Sequence, residues 1–148
     1  MTFIKSIAIA LTAVFALAFF AQASTEKPTQ IAIHVDDNDP KRMNMALNNA
    51  ANVQKYYDSI GEEVEIRIVA YGPGLHMLRA DTYPVADRIA TMSLELSNLT
   101  FAACGNTHTQ MSKKINKTIE LLDEAEMVQS GVVELVELQK AGWAYIRP

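Results

Sequence analysis

The sequence predicts an α/β fold, a three-layer α/β/α arrangement with a mostly parallel five-stranded sheet. Two observations carry that expectation. Short apolar runs rich in β-branched residues recur along the chain, as in strands covered on both faces. Between them lie segments whose apolar residues repeat at helical spacing, bounded by capping and turn residues.

The first strand is "QIAIHV", Gln30 to Val35. Asp39 and Pro40 then open a helix, Asp39 as N-cap and Pro40 at the first helical position, where a missing N–H costs nothing. Met43, Leu47, Ala50, Val53, Tyr57 and Ile60 form its apolar stripe and Gly61 ends it. In the second strand Val64, Ile66 and Ile68 alternate with Glu63, Glu65 and Arg67, so one face is partly wet. A "YGPG" turn follows, and after Pro84 a helix runs from Val85 to about Leu96. "LTFAAC" is a third, buried strand. Thr107 and Gln110 have the spacing of a capping box, leading into a helix with Met111, Ile115, Ile119 and Leu122 on its stripe. "EMVQSG" is read as a short strand, Val132 to Ala141 as a helix and "WAYIR" as the last strand.

Residues 1–23 stand apart from this pattern and have the anatomy of a cleaved signal peptide. Lys5 supplies the positive start, Ile7 to Phe20 is an apolar stretch shorter than the roughly 20 residues of a membrane span, and "AQA" fits the small-x-small cleavage pattern. Export to the periplasm is the expectation, with no membrane attachment after cleavage. The domain is then 24–148, large enough for one hydrophobic core. Without Lys5 it holds 12 Lys and Arg against 17 Asp and Glu, a formal charge of −5. That balance, with no basic cluster beyond Lys113 and Lys114, argues against nucleic acid as a partner. Cys104 is the one cysteine, so no internal disulfide can form.

In α/β sheets, ligands and reactive groups gather beyond the carboxyl ends of the strands. Three loops qualify: His34 with Asp36 and Asp37, Tyr71 to Gly74, and Cys104 to His108. Gly72 and Gly74 do not make a dinucleotide fingerprint, since Met77 stands at the third glycine and Pro73 lacks an N–H. The aspartates miss the calcium-loop pattern, which wants glycine at Lys41. No G-x-S-x-G is present, and neither a metal nor a cofactor is expected. Cys104 ends a strand at a helix start, where N–H groups and the helix dipole favour a thiolate. His108 in the first turn is one candidate partner for it. His34 is the other, provided the first and third strands are neighbours.

"AIHVDDND", "NNAANV", "YGPGLHML", "FAACGNTH" and "GVVELVELQKAGWAYIRP" together resemble the DsrE-like family, in an exported branch with "YGPG" and "CGNT" turns. The resemblance covers nearly the whole exported chain. It implies the α/β/α fold, frequent homo-oligomerisation and, in the best understood members, sulfur trafficking. There a cysteine in the loop after a central strand carries sulfur as a persulfide, which matches Cys104. Two readings follow. One is a sulfur-relay protein in which Cys104 exchanges sulfur with a donor or acceptor protein. In it, Gly105, Asn106 and Thr107 steady the anion while His34 or His108 helps move protons. The other is a non-catalytic, homo-oligomeric binding or assembly module, in which Tyr71 to Leu75 and Asn106 to His108 line a small-ligand pocket and Cys104 only packs. The leader itself yields a prediction: protein isolated from the native envelope begins at Ser24, as read by N-terminal sequencing. A mature pool that retains Met1 would sink the export reading.

Overall fold

The computed structural model describes residues 27–82 and 84–148. Five strands form one sheet in the order β4-β3-β2-β1-β5. They are β1 (Thr29–Val35), β2 (Val64–Ala70), β3 (Leu99–Cys104), β4 (Ala125–Val128) and β5 (Ala144–Ile146), and every pairing is parallel. The helices are α1 (Pro40–Ile60), α2 (Ala86–Glu95), α3 (Gly105–Ile115) and α4 (Gly131–Lys140), with a 3-10 segment over Gly72–Leu78. The α/β/α class and the five strands are as the sequence predicts. The signal-peptide expectation lies outside the described residues. Among these, no helix is long and apolar enough to cross a membrane.

Local chemistry explains the boundaries. Asp39 accepts a bond from the Lys41 N–H at 2.9 Å, Pro40 follows, and Gly61 closes α1 at a φ of 71° that favours glycine. Two expectations fail around α3. The cap is Cys104, not the Thr107 and Gln110 box, since the helix begins at Gly105 and Thr107 already lies within its first turn. Asn116 turns left-handed at φ 52° and ends the helix, so Ile119 and Leu122 sit beyond it rather than on its stripe.

The two sheet faces are unequal. One carries Ile31, Ile33, Val35, Ile66, Ile68, Leu99 and Phe101, packed with Met43, Leu47 and Ala50 of α1, Ile89 and Met92 of α2, and Met111 of α3. The other carries Ala32, Val69 and Ala102 under Leu135 and Leu138 of α4. Chain order accounts for this. From β1 the chain steps to β2, β3 and β4 in one direction, then returns past the whole sheet to β5. Right-handed crossovers put helices on one face while the chain advances and on the opposite face when it reverses. α4 is also tied to the sheet by Arg67, which reaches Glu134 at 2.7 Å, Glu126 at 2.8 Å and Thr100 at 3.1 Å.

The "YGPG" loop is built by close approach. A Cβ on Gly74 would fall 2.2 Å from the Val35 carbonyl oxygen, so the strand-β1 exit and the 3-10 segment pack backbone to backbone. Gly74→Ala is predicted to cost about 1–3 kcal/mol as overpacking, read from the urea midpoint. An unchanged midpoint would refute this account of the turn.

Candidate functional site

The site follows from the reversal of chain direction. β3 and β4 are neighbours, yet β3 feeds α3 on one face and β4 feeds α4 on the other. Where neighbouring strands send their connections to opposite faces, a crevice opens beyond their carboxyl ends, the usual ligand position in an open α/β sheet. Cys104 is paired with Val128 at that crevice.

Its surroundings are mostly backbone. The Thr107 N–H donates to Sγ at 3.4 Å, so the sulfur caps α3. The Thr107 hydroxyl oxygen accepts the Gly72 N–H at 2.9 Å, which leaves its proton free to turn toward the sulfur. The Asn106 N–H is bonded to the Gln129 carbonyl at 3.2 Å, joining the two crevice walls. Burial pushes the thiol pKa up, since Cys104 is only 4 % exposed. The Gly131 N–H, the Thr107 hydroxyl and N–H, and the Asn106 N–H act the other way and prevail, so the thiol lies below its ordinary value. Of these donors, the N–H of Gly131 was not foreseen from the sequence, because strand order decides that it comes here.

The two candidate histidines stand elsewhere. The His108 Nε2–H donates to the Ile119 carbonyl at 2.7 Å, an interaction that anchors the chain after α3 instead of meeting the thiol. β2 separates β1 from β3, so the strand neighbourhood that would have brought His34 beside Cys104 does not exist. His34 is 5 % exposed and shares a 2.7 Å bond between Nδ1 and the Tyr145 hydroxyl. Its ring stacks on Tyr71 with centroids 4.6 Å apart. Burial lowers its pKa, Asp36 opposes that and Arg147 adds to it, so the neutral ring prevails at pH 7. Nε2 has no hydrogen-bond partner and lies 3.8 Å from Asp36, which is itself paired with Arg147 at 2.7 Å. The cleft beside it, about 10 Å³, has space for roughly one water and is lined by Asp36, Asp37 and Arg42. Tyr71 links the two centres, since its Cβ and ring edge pack where α4 begins while its ring faces His34. Burial raises its phenol pKa and the Asp36 carboxylate adds to this.

The profile of the DsrE/DsrF-like family matches residues 30–148. The chain belongs to the DsrE/DsrF-like family. Among solved structures, a protein of unknown function from Methanobacterium thermoautotrophicum is similar at 29 % identity and a TM-score of 0.69. The match covers 81 % of this chain and 99 % of that one. No curated protein matches it. This DsrE/DsrF-like chain therefore shares fold and family with its relatives, while the chemistry at Cys104 must be argued from its own atoms. Tyr71, Gly72, Gly105, Asn106 and Thr107 do gather around the Cys104 turn. Gly74 serves the packing against Val35, one loop further on.

A thiol whose folded pKa is depressed contributes stability that is present above the unfolded value, near 9.0, and is lost as pH falls through the folded value. Thr107→Val is predicted to lower the thiolate fraction at pH 6 roughly threefold, followed by thiolate absorbance at 240 nm, because it removes the hydroxyl donor. Thr107→Ser should stay close to wild type. Equal titration curves for the valine variant and wild type would remove the hydroxyl from the site.

Proposed function

We propose that this DsrE/DsrF-like protein is a periplasmic sulfur-relay protein in which Cys104 accepts and passes on sulfane sulfur as a persulfide. The observation that carries the reading is the convergence of backbone N–H groups and the Thr107 hydroxyl on one sulfur, which holds its pKa below the ordinary thiol value. The family resemblance supports the same chemistry.

The transfer needs no redox partner. The Cys104 thiolate attacks the outer sulfur of a donor persulfide, R–S–SH, forming a new S–S bond while the donor's S–S bond breaks. The electron pair leaves with R–S⁻, and Cys104 becomes Cys–S–SH. Delivery is the same displacement in the other direction, as an acceptor thiolate takes the outer sulfur and Cys104 leaves as thiolate. Cys104 is the catalytic residue, and the donors around it favour both the attacking and the leaving anion. His34 enters this reading through the Tyr71 ring, and the His108 Nε2–H donates to the Ile119 carbonyl, away from the sulfur. Because the thiol is 4 % exposed, a donor must open the crevice to reach it.

Self-association belongs to the proposal. Val132, Val133 and Val136 on the outer side of α4 are 54, 54 and 43 % exposed, more apolar surface than a short helix ordinarily presents to water. Static light scattering on the exported chain is expected to give a multiple of the subunit mass, and a monomer at micromolar concentration would refute that part.

The decisive measurement is the intact mass after exposure to polysulfide. A gain of one sulfur atom is expected for wild type, with none for a folded Cys104→Ser variant. A thiol that stays unmodified until the chain is denatured would overturn the relay. The protein would then be a homo-oligomeric small-ligand-binding or assembly module in which Cys104 only packs.

A further inference from the structure

We propose that Gly131 is a positioning residue for the Cys104 sulfur, holding the first turn of α4 against it so that one sulfur caps two helices on opposite faces of the sheet. The inference rests on the relay reading only for the reaction it would serve.

Three features of the crevice carry it. A Cβ on Gly131 would lie 2.9 Å from the Tyr71 Cβ, 3.1 Å from its Cδ1 and 3.2 Å from the Cys104 Cβ. Any other residue there would push the start of α4 away from the thiol. The opposite wall has the same design, since a Cβ on Gly105 would meet the Val128 carbonyl oxygen at 2.9 Å. Two helix starts, Gly105 and Gly131, thus lie against one strand pair and neither brings a side chain of its own. The third feature is the cap of α4. Ser130 occupies the N-cap position but its side chain makes no capping bond, so it leaves the first N–H groups of α4 without that partner.

The Cys104 sulfur supplies what Ser130 does not. It already takes the Thr107 N–H of α3 in a directed bond at 3.4 Å. On this proposal the Gly131 N–H is the second donor, because the start of α4 packs so closely on the Cys104 Cβ that a side chain at Gly131 has no room. A neutral thiol is a weak acceptor and a thiolate a strong one, so the α4 contact should tighten as the sulfur ionises. Both dipoles then point their positive ends at the same charge.

The test uses the whole exported chain labelled with nitrogen-15. In wild type the Gly131 amide resonance should shift with pH along the curve of thiolate absorbance at 240 nm, and that shift should vanish in Cys104→Ser. Gly131→Ala should lower the thiolate fraction at pH 6 roughly threefold, since the N–H is kept but displaced. A Gly131 amide that stays flat through the thiol titration overturns the proposal, as does a folded Gly131→Ala with the wild-type curve. Should the alanine variant fail to fold, the wild-type titration decides alone. Sulfur gain from polysulfide is a separate readout. A titrating Gly131 without sulfur gain sinks the relay and keeps this inference, and sulfur gain with a flat Gly131 does the reverse.

Discussion

The constraint on which the site depends is the crossing of two chain segments at the carboxyl edge of β3 and β4. One leaves Cys104 for α3 and the other leaves Val128 for α4, on opposite faces. Their backbones touch, with Gly105 against the Val128 carbonyl, Gly131 against the Cys104 Cβ and the Asn106 N–H on the Gln129 carbonyl. Gly105 and Gly131 bring no side chain of their own to the crossing, so what surrounds the sulfur is mostly backbone, with the Thr107 hydroxyl and the Tyr71 ring beside it. Backbone donors need no reorganisation when charge appears, which is why a backbone site stabilises an anion more dependably than mobile lysines would.

Burial and hydrogen bonding oppose each other at Cys104, and the balance explains why reactivity and accessibility are separate properties here. Removing a thiolate from water without donors would leave an inert thiol, because the charged form loses its solvation. With donors from α3, α4 and Thr107 the thiol pKa lies below its ordinary value even at 4 % exposure. The same closeness that brings the N–H groups to the sulfur keeps reagents away from it.

Much of this was legible in the sequence. The Asp39-Pro40 start, the Gly61 stop and the three central strands follow from capping chemistry and from apolar periodicity, both local properties. The placement of Cys104 at a strand end running into a helix start was equally local. The capping box was misread because Thr107 and Gln110 have the right spacing three residues too late, and the sulfur of Cys104 takes the role the hydroxyl was given. The histidines failed for a different reason. Whether His34 reaches Cys104 depends on β2 lying between β1 and β3, and strand order is not written in any local pattern. Gly131 was missed on the same ground. A serine-glycine pair before a helix is ordinary until the strand before it is known to pair with β3.

The unequal faces of the sheet connect these points. Three helices cover one face, and α4 alone covers the carboxyl half of the other, where Ala32, Val69 and Ala102 are small enough to let it lie close. Arg67, bridging Glu126, Glu134 and Thr100, fixes the first turn of α4 to three strands at once. With that tie in place the first turn of α4 has little freedom to drift from Cys104, although its own residues offer no cap. The second, separate fastening is at β5, where Tyr145 and Arg147 hold His34 and Asp36. Between the two fastenings stands Tyr71, packed on Gly131 on one side and stacked on His34 on the other. One ring thus contacts both the start of α4 beside the sulfur and the His34 centre beside β5.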